Sequence, residues 1–271
     1  MTHWTEELFQ DNPELFQSLF DMRAETVPAE VDFLLEKLAE HGFEAGRILD
    51  LNCGVGRHAI ELGRRGIEVV GTDISSRYID VAGQRAEEAG VADNATFRVI
   101  DMREIASGLA AAKPFDGIIC MWTAFGFYDD VTNDDILKQC VKLIRPGGFF
   151  VLDIINRDWL LLNFADRGYS TVGNLTITED RKFDIMSSRN QSTWTYLRWL
   201  DGDNYHREKT VTIDHRIWSL HELAALYKKA GLELAAAYTG FGLGFSPRQG
   251  VIVGLRELLQ SRMLLCIGRK V

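Results

Sequence analysis

A carboxylate, two glycines and an arginine crowd the stretch Ile48-Leu49-Asp50-Leu51-Asn52-Cys53-Gly54-Val55-Gly56-Arg57-His58. The apolar residues around Asp50 read as a strand with the acid at its exit. Gly54 and Gly56 then form a turn, and Arg57 to Arg65 continues as an amphipathic helix. A second apolar run, Ile67 to Thr72, ends on Asp73. Such a strand–turn–helix–strand unit makes a nucleoside-shaped slot, because glycines let backbone approach a ligand and the second acid can hold a ribose diol. Gly54 and Gly56 are therefore assigned to close approach. Asp73, with Ile74 beside it, is assigned to the ribose.

The charge around the turn bears on which nucleoside fits. Gly54-Val55-Gly56-Arg57-His58-Ala59 satisfies the relaxed dinucleotide fingerprint, so a nicotinamide-dependent oxidoreductase is one alternative. Against it, Asp50 stands where a pyrophosphate would be repelled, and Asn52-Cys53 lengthens the loop before the first glycine. A carboxylate there suits a ligand carrying an ammonium and a sulfonium, as S-adenosylmethionine does. The ligand's own carboxylate can use the amides at the following helix N-terminus.

Ile48 to His58 closely resembles the first motif of the Rossmann-like S-adenosylmethionine-dependent methyltransferases, hhDLGCGxGRH with h apolar. Asn52 replaces the first glycine of that pattern, and asparagine tolerates positive φ better than most residues. Arg145-Pro146-Gly147-Gly148 matches the family's R/K-P-G-G turn, and Ser219 to Leu232 is similar to its helix ending in Ala-Gly-aromatic. Sugar and other natural-product N-methyltransferases are the nearest in pattern. The resemblance implies an α/β fold: a Rossmann-like, mostly parallel seven-stranded sheet with helices on both faces. It spans residues 48–155 and 219–271 and is weak before them.

The elements follow that order. A helix is predicted from Ser75 or Ser76 to Ala89, a third strand over Ala95 to Ile100, and a fourth, nearly all apolar, over Phe115 to Trp122. Thr132 to Ile144 reads as a helix capped near Thr132 or Asn133, and Phe149 to Ile155 as the fifth strand. From Arg157 to Trp218 helical periodicity gives way to alternation, with a turn at Asp201-Gly202-Asp203-Asn204. This is an antiparallel β insertion after the fifth strand, expected over the carboxyl edge of the sheet. Ser219-Leu220-His221-Glu222 is a capping box, and Leu232 to Tyr238 and Met263 to Ile267 supply the last two strands. Residues 1–156 and 219–271 thus form the core, and 157–218 the insertion.

Asp101 and Met102, at the third strand's exit, resemble the family's adenine-contacting pair. Asp50, Asn52, Arg57, Met121 and Arg23 complete the expected cofactor set, with Met121 beside the sulfur and Arg23 on the ligand carboxylate. Phe125-Gly126-Phe127-Tyr128 resembles the family's aromatic loop and is assigned, with Trp122, Trp194 and Tyr196, to the methyl acceptor. A general base is needed only if the nucleophile arrives protonated. Tyr128, Asp129, Asp153, His206 and His215 are candidates, Tyr128 and His215 foremost; His58 is read as structural. Trp194, Tyr196, Trp199, Tyr205 and Trp218 could line a lid, or form the packed face of a small sheet or a homodimer contact.

The chain has 271 residues, a net charge of −9 and a hydrophobic content of 46%. The acidity disfavours a nucleic-acid substrate and leaves an RNA methyltransferase as a second alternative. The N-terminus lacks a signal-peptide pattern, and no apolar run approaches a membrane span. Cys53, Cys120, Cys140 and Cys266 form no C-x-x-C pair, as in a cytoplasmic protein with reduced thiols, and no metal is expected. The expectation is S-adenosylmethionine-dependent methyl transfer to a small molecule, at nitrogen rather than oxygen.

Overall fold

Before the glycine turn come three helices that the sequence pattern did not reveal. They are α1 (Trp4–Phe9), α2 (Pro13–Met22) and α3 (Val27–Glu40), the last two with proline in the first turn. The computed structural model describes residues 2–43, 45–202, 204–240 and 254–271. Strand and helix then alternate through β1 (Arg47–Leu51), α4 (Arg57–Arg64), β2 (Glu68–Asp73), α5 (Ser76–Glu88), β3 (Ala95–Val99), α6 (Ile105–Gly108), β4 (Phe115–Cys120), α7 (Asp130–Leu143) and β5 (Ile144–Ile155). The insertion holds α8 (Arg157–Leu162), β6 (Arg167–Val172), β7 (Leu175–Asp184), β8 (Arg189–Asp201) and β9 (Asn204–Arg216). The described chain closes with α9 (Leu220–Ala230), β10 (Leu232–Thr239), α10 (Leu255–Gln260) and β11 (Met263–Lys270).

The main sheet has seven strands in the order β10-β11-β5-β4-β1-β2-β3, parallel except for β11. Alternate residues of each central strand feed opposite faces. Leu49, Ile118, Phe150 and Leu152 meet Ile136, Leu137 and Cys140 of α7 and Leu223 and Tyr227 of α9. Ile48, Ile119, Phe149 and Val151 meet Val31, Leu34 and Leu38 of α3 and Ala59 and Leu62 of α4. Strand order reverses between β1 and β4, so their carboxyl ends open the crevice in which ligands bind to such sheets.

Several boundaries differ from expectation. β4 stops at Cys120 because Trp122 and Thr123 turn left-handed, at φ 58 and 62. α7 starts earlier than expected, since the Asp129 carboxylate, not Thr132 or Asn133, accepts from the Thr132 amide. β5 begins at Ile144, which pairs with Phe115, and the Arg145–Gly148 turn becomes an irregularity within the strand. The insertion also opens on a helix, α8, where only alternation was expected.

The insertion is a four-stranded antiparallel sheet, β6-β7-β8-β9. Leu175, Ile177, Tyr196 and Ile213 on one face pack with Leu8, Leu15 and Leu19 of α1 and α2. On the other, Thr193 meets Thr212 and Thr195 meets Thr210 at 3.2 Å each. No helix among the described residues is long and apolar enough to cross a membrane.

Candidate active site

The loop after β1 is shaped by three consecutive demands on backbone conformation. Asn52 lies at φ 57, Gly54 at 55 and Gly56 at 76. Asn52 is held there by its side chain, whose Nδ2 donates to Ala124 O at 2.7 Å and approaches Met102 Sδ at 3.1 Å. Gly56 caps α4, and a Cβ on it would stand 2.8 Å from Ala82 and 2.9 Å from Phe97. Here close approach is the helix and strand packing on the turn.

Two carboxylates lie beneath this turn. Asp50 is 2% exposed, and its Oδ2 has no hydrogen-bond partner among the described residues. Burial pushes its pKa up to about 6, against the pull of His58 and then of Arg57. Asp73 accepts from Gly54 N through Oδ2 and from Ser75 N through Oδ1, both at 2.9 Å. Burial also raises it to about 6, and those amides hold it from going higher. Asp73 therefore fastens the glycine turn while its remaining lone pairs stay able to accept.

Cationic groups sit at the mouth. The Arg57 guanidinium lies 4.7 Å from the Trp122 ring centre and 5.3 Å from that of Phe20. Burial, opposed by Glu30 and helped by the like charge of Arg23, lowers its pKa to about 10. Arg23 itself is buried at the C-cap of α2. Beneath them His58 Nε2 meets Glu30 Oε2 at 3.0 Å, a buried pair that joins α4 to α3.

The other assigned residues divide. Met102 and Met121 are buried beside the crevice, and Ile74 O accepts from Gln10 Nε2 at 3.1 Å. Asp101 is engaged by its own neighbourhood: its Oδ1 accepts from Arg103 N at 2.8 Å, and its Oδ2 meets Arg103 Nε at 2.9 Å. Trp122 N donates to Asp153 Oδ2 at 3.1 Å and Thr123 N to Asp153 O at 2.7 Å, so this carboxylate holds a strained turn.

The aromatic loop after β4 sits against the insertion. Phe127 lies 5.0 Å from Trp4, and Phe125 stacks on Trp218 at 5.4 Å. Tyr128 is buried, stacks on His3 at 4.7 Å, lies 4.9 Å from Arg103, and has its hydroxyl 3.5 Å from Thr5 Oγ1. Burial raises its pKa. His215 Nε2 donates to Phe125 O at 2.7 Å, and burial lowers its pKa to about 4. A neutral ring tied to a carbonyl is a fastener for the loop, so its Nε2 is not free to act as a base.

Other sequence candidates fall outside the crevice. Asp129 is an exposed helix cap, and His206, Trp199 and Tyr205 lie exposed toward the distal β8–β9 turn. Trp218 packs in the main core rather than lining a lid. Trp194 and Tyr196 face the N-terminal helices, with Trp194 stacked on Phe16 at 5.9 Å. Phe16, Phe20, Arg103 and Glu30 were missed. The proline-started apolar periodicity of Pro13 to Met22 was the available signal for the first two.

Comparison with known proteins agrees with this fold. The methyltransferase domain family matches residues 48–148. A ubiquinone biosynthesis O-methyltransferase of Psychrobacter cryohalolentis is 32% identical over 123 residues, 45% of this chain and 46% of that protein. The chain thus aligns with about half the length of such curated relatives. A solved S-adenosylmethionine-dependent methyltransferase from Clostridium acetobutylicum superposes with a TM-score of 0.70 at 16% identity, over 89% of this chain and 90% of that one. CalS10, an amino pentose methyltransferase from Micromonospora echinaspora, gives 0.65 at 18% identity, over 94% and 96%. Residues 48–148 thus match the methyltransferase domain family, and the chain shares the fold of these solved methyltransferases.

Proposed function

We propose that the protein transfers the methyl group of S-adenosylmethionine to a small-molecule acceptor by in-line displacement. The observation that carries this reading is the Asp50 carboxylate, buried under a glycine turn with an oxygen that lacks a hydrogen-bond partner among the described residues. A buried acceptor left in that state costs free energy, which a cationic ligand group would recover. A diphosphate would instead be repelled. The cofactor supplies a methyl group on positively charged sulfur, so the departing thioether is already a good leaving group.

The residues divide the remaining work. Asp50 faces the ligand's cationic end, Arg23 and Arg57 its carboxylate, and Asp73 its ribose hydroxyls. Asn52, Gly54 and Gly56 shape the turn, Ile74, Asp101 and Met102 flank the adenine side, and Met121 and Trp122 stand near the sulfur. Trp122, Phe127 and Tyr128 would contact the acceptor and exclude water, as would Trp194 and Tyr196 once clear of the N-terminal helices, while Phe125, fully buried against Trp218, holds the loop. Holding a nucleophile in line contributes about 7–11 kcal/mol in favourable cases.

Nitrogen is the acceptor atom in this reading. The net charge of −9 suits an acceptor that arrives as an ammonium. The positive field of Arg57, 4.7 Å from Trp122, favours the neutral amine whose lone pair reacts. With the amine already neutral, neither Tyr128 nor His215 has to remove a proton. The O-methyltransferase relative makes oxygen the competing outcome. Net acidity argues against nucleic acid, and the free thiols suit a cytoplasmic setting.

Calorimetric titration with S-adenosylmethionine, S-adenosylhomocysteine and NADH tests the cofactor. Mass spectrometry of a library of amines, phenols and carboxylic acids tests transfer. Binding of NADH without S-adenosylmethionine would overturn the reading, and methylated phenols without methylated amines would move the acceptor to oxygen.

A further inference from the structure

The helices α1 and α2 touch both sides of the crevice. On the cofactor side Gln10 Nε2 donates to Ile74 O at 3.1 Å, the Tyr78 hydroxyl donates to Pro13 O at 2.7 Å, and Arg85 pairs with Asp21 at 2.8 Å. Over the glycine turn itself lies the Phe20 ring: a Cβ built on Gly54 would stand 3.0 Å from it. On the insertion side Lys209 pairs with Glu7 at 2.7 Å, and Phe16 stacks on Trp194 at 5.9 Å with planes 10° apart. Phe16 and Phe20 are one helical turn apart and meet at 5.1 Å.

The Phe20 ring lies against Gly54, one of the two glycines assigned to close approach of the ligand. Ring and cofactor then compete for one place, and a ligand that fits only the uncovered turn shifts the protein toward that state. Because Phe16 and Phe20 share one helix, moving one off Gly54 moves the other off Trp194.

We propose that α1 and α2 form a two-sided strap that S-adenosylmethionine displaces by turning α2 about its Arg23 end, which stays on the ligand carboxylate, so that cofactor binding comes first and uncovers the acceptor face of the insertion. This rests on the cofactor reading above. The strap's contacts set the closed population, and apparent affinity is reduced by the closed fraction. Weakening a contact that holds the strap, without altering the slot, therefore tightens cofactor binding.

Tyr78→Phe keeps the buried ring and removes only the hydroxyl bond to Pro13 O. It should bind S-adenosylhomocysteine roughly two- to tenfold more tightly by calorimetry, the factor that one net hydrogen bond supplies. In the wild-type protein, saturating S-adenosylhomocysteine should raise hydroxyl-radical labelling of Phe16 and Trp194 while residues 52–58 gain protection from hydrogen exchange. Protection of 52–58 with unchanged or reduced labelling of Phe16 and Trp194 overturns the strap alone. Weaker binding by Tyr78→Phe does the same. Absence of both heat and protection removes the cofactor reading, and the strap with it.

Discussion

The Asn52 side-chain amide donates to the Ala124 carbonyl at 2.7 Å, tying together the two loops where strand order reverses. It does so from a left-handed backbone at φ 57. Left-handed conformation costs an ordinary L residue about 1–2 kcal/mol, and one such hydrogen bond contributes about 0.5–1.5 kcal/mol net. Asn52→Gly loses the bond but relieves the backbone, so it should stay within about 1 kcal/mol of the natural protein. Asn52→Ala loses the bond and also asparagine's tolerance of this backbone, a cost of up to about 1.5–3.5 kcal/mol on the same figures. Urea unfolding of the two variants gives the order; an alanine variant as stable as the glycine one removes the strain argument.

The same loop shows what the sequence could reveal. Strand, turn and helix from Ile48 to Arg64 are set by local signals, a left-handed asparagine and two glycines, so the strand–turn–helix unit was legible. Long-range contacts were not. Nothing in Pro13 to Met22 says that Phe20 covers Gly54 rather than open sheet. Trp218 reads as one more insertion aromatic, yet Phe125 draws it into the core at 5.4 Å. His215 looks like a base until its bond to Phe125 O shows it fastening the loop.

Asp73 has two tasks, and separating them gives a second prediction. Its oxygens accept from Gly54 N and Ser75 N, and the same carboxylate is proposed to hold the ribose. Asp73→Asn keeps one acceptor oxygen and the shape but loses the charge. S-adenosylmethionine affinity should fall at least about tenfold, since hydrogen bonds to an ionised acceptor are roughly twice as strong as neutral ones. Circular dichroism should show a folded chain. Unchanged affinity by calorimetry would remove Asp73 from the ribose.

Cofactor binding should depend on pH through Asp50. Burial raises this carboxyl from 3.8 to about 6, so it passes from largely protonated at pH 5 to largely ionised at pH 7. Only the ionised form attracts an ammonium, so affinity should rise about tenfold across that interval for this one proton. Asp73 titrates in the same window, at about 6, and adds to the slope. Asp50→Asn should therefore flatten the profile by one proton and leave the Asp73 part. A variant with an unaltered slope would show that Asp50 does not meet the ligand's charge.

The pair beneath the turn acts in the opposite pH direction. Burial alone would raise Glu30, but the bond to His58 at 3.0 Å and one from Thr26 Oγ1 at 2.7 Å outweigh it, and its pKa falls from 4.5 to about 2. A depressed folded pKa stabilises the native state above the unfolded value, here above pH 4.5, and that contribution disappears as pH falls toward 2. A shift of this size corresponds to roughly 3 kcal/mol. Asp50 and Asp73, whose folded pKa values are raised, favour the native state instead as pH falls from about 6 toward 3.8. Denaturant stability should thus rise as pH falls from 7 toward 4, where the two aspartates outweigh Glu30, and drop below about pH 3.8, where only the Glu30 contribution is still being lost. Glu30→Ala, which strands a buried His58, should cost about 3–5 kcal/mol at pH 7. Glu30→Gln should lose less at pH 7 and remove the drop below about pH 3.8; if the drop persists in that variant, some other carboxylate carries it.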